Sequence, residues 1–138
     1  MAKRLEELEQ IKVIQWRDAN KHLYPKLRRL FHVPNGGLRS SRTAITMSRL
    51  GTTKGVPDLI LLCPSEPVVM NTLDNPDAGA IRKSYHFFAG EMKAPGGKPS
   101  KEQIEWKEMI IQDGGYWCCY EKATDMVRAI KSYLLIGA

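Results

Sequence analysis

The chain has 138 residues and a mass of 15.6 kDa, the usual size of one domain, so we expect a single domain over residues 1–138. Its 43% hydrophobic and 26% charged residues indicate a globular protein with a packed core and exclude a disordered or collagen-like chain. The net charge is +6, and because the chain has neither an apolar run near the roughly 20 residues of a membrane span nor a signal-peptide core, we expect a soluble, non-exported protein.

The first part of the chain predicts two helices and a short strand. Apolar residues recur near a helical period from Ala2 to about His22, which predicts an amphipathic helix that ends before Pro25. Leu27 to Val33 is a candidate strand, and the turn sequence Pro34-Asn35-Gly36-Gly37 follows it. A second helix is predicted from Ser41 to Leu50, with a glycine at its C-terminal cap.

The positive charge is concentrated in one stretch. No acidic residue lies between Asp18 and Asp58. Eight basic residues lie there: Lys21, Lys26, Arg28, Arg29, Arg39, Arg42, Arg49 and Lys54. The rest of the chain has 13 basic and 15 acidic residues, so the whole excess belongs to this stretch. A polyanion such as nucleic acid is its natural partner, a solvated surface is the alternative, and the prolines within it disfavour a membrane-binding helix.

The middle of the chain predicts two buried strands. Leu59 to Cys63 is a continuous apolar run of strand length, typical of a strand covered on both faces. Pro64 to Ser84 lacks a clear period and predicts an inserted loop or an irregular hairpin. Tyr85 to Lys93 alternates and is aromatic, which favours a second strand of the sheet.

The last part of the chain predicts two helices around a strand. A helix opens at Ser100, and Tyr116 to Tyr120 is a strand. Thr124 can cap a final helix, whose apolar residues Met126, Val127, Ile130, Tyr133 and Leu134 share one face. The order of elements predicts an α/β protein with a mixed central sheet flanked by helices.

Three residues on the two central strands form a candidate metal and catalytic site. Glu91 and Lys93 project from one face of their strand, and Asp58 precedes the other strand directly. If the strands are neighbours, the two carboxylates and the backbone carbonyl of Met92 suit Mg²⁺, with the lysine placed to orient water or offset phosphate charge. The alternative is an exposed Glu-Lys pair and an aspartate in a turn.

Other polar residues could join this site. Ser100 and Gln103 have the spacing of a capping box, and Gln103 could also face the carboxylates. On the first helix Glu6 and Gln10 share a face, so either could complete the site, and both could equally be solvated.

Cysteine and histidine offer no comparable chemistry. Cys63, Cys118 and Cys119 form neither a disulfide framework nor a zinc spacing, so we expect small, reduced, buried side chains. The histidines are scattered, so any metal should be bound by oxygen. Gly97-Lys98-Pro99-Ser100 departs from a phosphate-binding loop, and we expect no nucleotide cofactor.

An ordered set of short motifs resembles a known family. The motifs are Pro34-Asn35-Gly36-Gly37, Arg39, Gly55-Val56-Pro57-Asp58, Gly90-Glu91-Met92-Lys93, Ala94-Pro95-Gly96-Gly97, Ser100 with Gln103, and Gly115-Tyr116. Together they resemble the virus-type replication-repair nuclease (VRR-NUC) domain of the PD-(D/E)XK nuclease superfamily, over about Glu6 to Tyr133.

The resemblance implies a restriction-endonuclease-like core and DNA hydrolysis with Mg²⁺ or Mn²⁺. It implies that Asp58 and Glu91 are metal ligands, Lys93 the catalytic lysine and Gln103 a further motif residue, with Glu6 or Gln10 at the first-helix position. DNA contacts are expected from Arg39, Arg42, Arg49, Lys54, Lys98 and Lys101.

The short chain resembles the standalone phage and prophage form, which suggests a homodimer that cuts four-way DNA junctions in the cytoplasm of a bacterial or phage-infected cell. The alternatives are a monomeric nuclease for flaps or nicks and a DNA-binding accessory protein that does not cut.

Overall fold

The computed structural model describes residues 1–34, 40–70 and 81–137. Its elements in chain order are α1 (Ala2–Asn20), a 3-10 helix (Pro25–Arg29), β1 (Leu30–His32), α2 (Ser41–Arg49), β2 (Leu59–Leu61), β3 (Val68–Met70), β4 (Ile81–Lys83), β5 (Phe88–Met92), α3 (Lys101–Gln112), β6 (Tyr116–Tyr120) and α4 (Ala123–Leu134). The order confirms the predicted alternation of helices and strands. Arg39 and most of the predicted glycine turn lie outside the described residues.

Four strands form a mixed sheet in the order β1-β2-β5-β6. β5 and β6 are parallel, whereas β1–β2 and β2–β5 are antiparallel. β3 and β4 pair with each other, antiparallel, as a separate ribbon. The mixed α/β architecture predicted from the sequence is therefore confirmed.

Helices pack on both faces of this sheet. All five residues of β5 are buried. A Cβ on Gly90 would lie 2.8 Å from the Met126 side chain of α4, whereas the neighbouring Glu91 side chain bonds Gln103 of α3. Because neighbouring side chains on a strand point to opposite faces, α4 and α3 cover opposite sides of β5.

The hydrophobic core lies between the sheet, α1 and α4. It combines Val13 of α1, Leu59 and Phe88 of the central strands, and Met126 and Ile130 of α4, all of them 0% exposed. The apolar face predicted for the last helix is confirmed, since Tyr133 and Leu134 are also buried. No helix in the described residues is both long enough and apolar enough to span a membrane.

Four local predictions need correction. The strand predicted from Tyr85 to Lys93 is shorter, since β5 covers only Phe88–Met92 and Lys93 directly follows it. The predicted strand from Leu27 begins only at Leu30, because Pro25 starts a 3-10 helix instead. β2 also ends at Leu61, two residues before Cys63. Thr124 lies inside α4 and does not cap it: Lys122 is the N-cap, without a side-chain cap hydrogen bond. The backbone N–H of Ala123 donates instead to Glu9 of α1 at 2.7 Å.

The segment from Pro64 to Ser84 contains the β3–β4 ribbon. Three residue pairs join its strands, from Val68 with Lys83 to Met70 with Ile81. The hairpin alternative for this segment is therefore confirmed for the paired strands, and residues 71–80 lie outside the described part. Its status as an insertion stays a prediction.

Candidate active site

The register of two central strands brings the candidate carboxylates together. Leu59 of β2 pairs with Gly90 of β5 in antiparallel register, so Asp58 lies opposite Glu91 at the edge of the sheet. The carboxylate of Asp58 is fixed there, because its Oδ2 accepts a hydrogen bond from the Met92 N–H at 2.9 Å. The sequence predicted this meeting on the condition that the strands are neighbours, and the structure meets that condition.

Glu91 is an almost fully buried acid, with 1% of its surface exposed. Its Oε1 accepts a hydrogen bond from Gln103 Nε2 and forms an ion pair with Lys93 Nζ at 3.1 Å. Its Oε2 is buried and has no hydrogen-bond partner among the described residues. Burial, followed by the nearby Asp58 carboxylate, raises the pKa of Glu91 to about 8, while Lys93 opposes the shift.

Gln103 fills two roles with one side chain. Its Oε1 accepts from the Ser100 backbone N–H at 2.7 Å, while the Gln103 N–H donates to Ser100 Oγ at 3.2 Å, which completes the capping box of α3. Its Nε2 donates to Glu91. The helix cap and the candidate site therefore share a residue, and the two interpretations of Gln103 hold together.

The first helix brings a third carboxylate to the same edge. Glu6 accepts a hydrogen bond from the Ala94 N–H at 3.3 Å, directly after Lys93. Burial raises the pKa of Glu6, the Lys93 charge lowers it, and Asp58 raises it. Gln10 is half-buried and forms no side-chain hydrogen bond with the described residues. The geometry therefore places Glu6 nearer the carboxylate pair, and the role of either residue stays a prediction.

Two further contacts hold the backbone around Asp58, and sequence reasoning missed both. The His32 ring lies with Nδ1 2.8 Å from the Asp58 carbonyl, so Nδ1 carries the hydrogen and donates it. Trp106 Nε1 donates to the Lys54 carbonyl at 3.0 Å, four residues before Asp58. Neither contact has a local sequence signal, because the first depends on β1 pairing with β2 and the second on how α3 packs against the loop before Asp58.

The basic residues predicted to contact DNA are accessible where they are described. Arg42, Arg49, Lys54, Lys98 and Lys101 lie on the surface, whereas Arg39 is outside the described residues. A cleft of about 290 Å³ adjoins Lys93 and is lined in part by Gly97, Cys119 and Lys122. The role of these basic residues in DNA binding stays a prediction.

The donor set suits a hard cation and not a soft one. Within the described ranges, no group of three or more His, Cys, Asp or Glu side chains is placed to hold a metal ion. Two carboxylates, a backbone carbonyl and retained waters are a typical Mg²⁺ environment, and the unpartnered Oε2 of Glu91 fits a ligand position. Cys119 lies opposite Glu91 in β6, and burial raises the pKa of this half-buried thiol to about 11, so the thiol stays neutral.

The fold and these residues define a carboxylate-lysine centre at the edge of a mixed α/β sheet. No protein-family model and no curated protein matches the chain. A solved structure described as a VRR_NUC domain protein is similar, with a TM-score of 0.66, 20% sequence identity, and coverage of 96% of this chain and 89% of that chain. The VRR-NUC-like fold expected from the motifs is therefore confirmed.

Proposed function

We propose that the protein is a metal-dependent, structure-selective DNA endonuclease that hydrolyses phosphodiester bonds at the centre formed by Asp58, Glu91 and Lys93. The observation that carries the proposal is the pair of carboxyl groups itself: Glu91 is 1% exposed, and its carboxyl lies within hydrogen-bonding reach of the Asp58 carboxyl. A structural role alone gives no reason to bury one acid against another, since such a pair destabilises the fold when both are ionised. The VRR-NUC-like fold supports the same proposal.

The metal site would use oxygen atoms only. Asp58, Glu91 and the backbone carbonyl of Met92 would hold Mg²⁺ or Mn²⁺, which when bound supplies Lewis-acid stabilisation of the phosphate and lowers the pKa of a water ligand. Gln103 binds Oε1 of Glu91 and so directs the other oxygen toward the ligand position. Asp58 is held by the Met92 N–H, so both carboxylates are oriented before a cation arrives.

Lys93 acts on the substrate side of this centre. Its Nζ lies 3.1 Å from Glu91 Oε1, and 15% of its side chain is exposed toward solvent. There it orients the attacking water and offsets the negative charge that develops on the phosphate.

The preferred substrate in this proposal is a four-way DNA junction, cut by a homodimer. Two copies related by twofold symmetry place two centres on strands of like polarity. The concentration of positive charge within residues 19–57 supports phosphate binding by each copy. Flap or nick cleavage by a monomer is the alternative within the same chemistry.

The test compares the wild-type protein with Lys93→Ala on labelled four-way junction, flap and linear duplex DNA. We expect cleavage with Mg²⁺ or Mn²⁺, none with a chelator, and none by Lys93→Ala, which should still bind DNA. Lys131→Ala, an exposed lysine of α4, is the matched control and should cut normally.

Each outcome separates the alternatives. Paired cuts in the junction support the dimeric resolvase, and cleavage of flaps alone supports the monomeric nuclease. Equal cleavage by the wild type and Lys93→Ala would contradict the catalytic assignment. Salt-sensitive binding without cleavage under any metal would leave a DNA-binding accessory protein.

A further inference from the structure

The segment that contains α2 leaves and rejoins the sheet at the candidate active site. Its two ends are joined by a hydrogen bond, in which the Val33 N–H donates to the Asp58 carbonyl at 2.9 Å. Its later part is fixed to α3 through the bond between Trp106 and the Lys54 carbonyl. Helix α2 therefore belongs to the segment between Val33 and Asp58, whose two ends are held beside the metal-binding carboxylates of the proposed function.

One face of α2 is directed away from the rest of the protein. Met47 is the one half-buried residue of this helix, and its other residues are exposed. Arg42, Ile45 and Arg49 have the spacing i, i+3 and i+7, which places them on a common face, and Met47 lies on the opposite side of the helix. We call these three residues the outer face of α2.

The outer face combines positive charge with an exposed apolar side chain. Ile45 is 62% exposed, and it lies between the two arginines along the helix. Neither arginine forms an ion pair with a residue in the described parts of the chain. Such a face fits a partner that offers phosphates on either side of an apolar surface.

Branched DNA presents this combination more readily than an intact duplex. In a linear duplex an apolar side chain must first unstack a base step before it can wedge there, whereas a branch point already exposes the face of a base pair. A second copy of the chain fits less well, because a twofold contact of this helix with itself would place arginines against arginines. No acidic residue between Asp18 and Asp58 could offset that repulsion.

We propose that the outer face of α2 recognises the branch point of the DNA, with Arg42 and Arg49 on phosphates and Ile45 against the base pair exposed at the branch. This inference rests on the proposed nuclease function and assigns its structure selectivity to one helix. The catalytic residues then cut at a fixed distance from the branch, because the segment that carries α2 is held at Asp58.

The test uses Lys93→Ala as the parent protein, so that binding is measured without cleavage. Affinity for a four-way junction and for a linear duplex of equal length is measured over a range of salt concentrations. Ile45→Ser should weaken junction binding roughly tenfold and leave duplex binding nearly unchanged, since the branch exposes the face of a base pair without the unstacking that a duplex requires. Arg42→Ala or Arg49→Ala should weaken both and reduce the salt slope by about 0.9 each.

Leu62→Ser is the matched control, because Leu62 is 63% exposed and follows the end of β2 remote from Asp58. It should bind both DNAs as the parent does. An unchanged junction affinity in Ile45→Ser, or an equal loss on both DNAs, would overturn the inference while the nuclease proposal stands. If Ile45→Ser changed the mass of the protein in solution but kept the parent's preference for the junction, the outer face of α2 would be a subunit contact. That outcome would also overturn the inference. A parent that binds no DNA would overturn both proposals.

Discussion

Glu91 is the residue at which burial and charge conflict most. The side chain is 1% exposed, and an ionised carboxylate at such a position loses its hydration. Gln103 and Lys93 compensate one oxygen, no donor among the described residues reaches the other, and the Asp58 carboxyl lies within hydrogen-bonding reach, which favours a proton shared by the two acids. The raised pKa of Glu91 follows from this imbalance, so the metal-free fold favours the protonated acid.

The first prediction is a loss of stability of the metal-free protein as pH rises. The pKa of Glu91 changes from an ordinary value of 4.5 to about 8 on folding, so the folded chain keeps a proton that the unfolded chain releases. This stabilisation is complete below pH 4.5 and disappears as pH rises through about 8. Between these values, the free energy of unfolding should fall by up to about 1.4 kcal/mol per pH unit, measured by denaturant unfolding with a chelator.

Glu91→Gln supplies the control for this pH dependence. The amide has nearly the same shape and does not titrate, so the free energy of unfolding should fall only slowly with pH in this variant. The raised pKa of Glu6 leaves a smaller contribution in the same direction. In the wild type, Mg²⁺ should raise the melting temperature more at pH 8.5 than at pH 6.5, because a cation competes with the proton. Equal pH slopes in both proteins would contradict the burial argument.

The second prediction concerns the shared role of Gln103. Gln103→Glu keeps an oxygen for the Ser100 N–H but replaces the donor to Glu91 with a carboxylate. The loss should be about 2 kcal/mol at pH 8 and smaller at pH 5.5, where a protonated carboxyl can donate to its neighbour. Gln103→Ala should cost about 1–2 kcal/mol with little change over this pH range.

Unfolding curves of both Gln103 variants at the two pH values would measure these losses of unfolding free energy. Gln112→Glu is the matched control, because Gln112 is exposed at the other end of the same helix. It should change the stability only slightly at either pH. If Gln103→Glu and Gln112→Glu behaved alike, the hydrogen bond from Gln103 to Glu91 would have no energetic role.

At the scale of elements, α3 is docked against the turn that precedes Asp58. Gly55 has a φ of +85°, and a Cβ there would lie 2.6 Å from the backbone carbon of Glu102 in α3. The nearby bond from Trp106 to the Lys54 carbonyl fixes the same two segments. Because Gln103 follows Glu102, this close approach sets the position of Asp58 relative to Glu91 and its partner.

The third prediction compares two glycines with left-handed backbone. Gly51 has a φ of +96°, and a Cβ added there would have no atom within 4 Å, unlike one added at Gly55. Gly51→Ala and Gly55→Ala should therefore share a conformational cost of roughly 1–2 kcal/mol, and Gly55→Ala should lose a further 1–3 kcal/mol or so from overlap with α3. Denaturant unfolding measures the difference, and equal losses would contradict the docking argument.

The sequence predicted elements whose signals are local and missed interactions that depend on packing. The capping box at Ser100 and the apolar face of α4 were predictable, because spacing within one helix determines both. The start of α4 was wrong because Glu9, 114 residues away in sequence, replaces a local cap. The choice between Glu6 and Gln10 depends on how α1 packs beside β5, which helical periodicity leaves open.

The candidate site shows the same division. Asp58, Glu91 and Lys93 could be selected from residue type and strand position, and their meeting required only that β2 and β5 be neighbours. The contacts of His32 and Trp106 depend on β1 being the next strand and on the approach of α3. Catalytic roles for all these residues stay proposals.

At the scale of the whole molecule, only part of the positive charge lies near the carboxylates: the segment with Arg42, Arg49 and Lys54 rejoins the sheet at Asp58, whereas Lys26, Arg28 and Arg29 precede β1 at the other end of the strands. The chain carries +6 overall, and the excess lies between Asp18 and Asp58. In the proposed function, a basic segment that rejoins the sheet beside an acidic centre would attract the phosphate backbone, and a cation would neutralise the carboxylates. This arrangement would place phosphate binding close to the bond that the proposed nuclease cuts.

The fourth prediction follows from the proposed dimer, whose mass in solution should be twice the 15.6 kDa of one chain. A symmetric dimer carries one centre per copy, so each copy should cut one of the two junction strands of like polarity. Mixed dimers of wild-type and Lys93→Ala copies should therefore nick a four-way junction once, whereas wild-type dimers make paired cuts and Lys93→Ala dimers none. Strand-specific labels distinguish nicks from paired cuts. Paired cutting by isolated mixed dimers would mean that one centre serves both strands, and a mass of one chain would favour the monomeric nuclease.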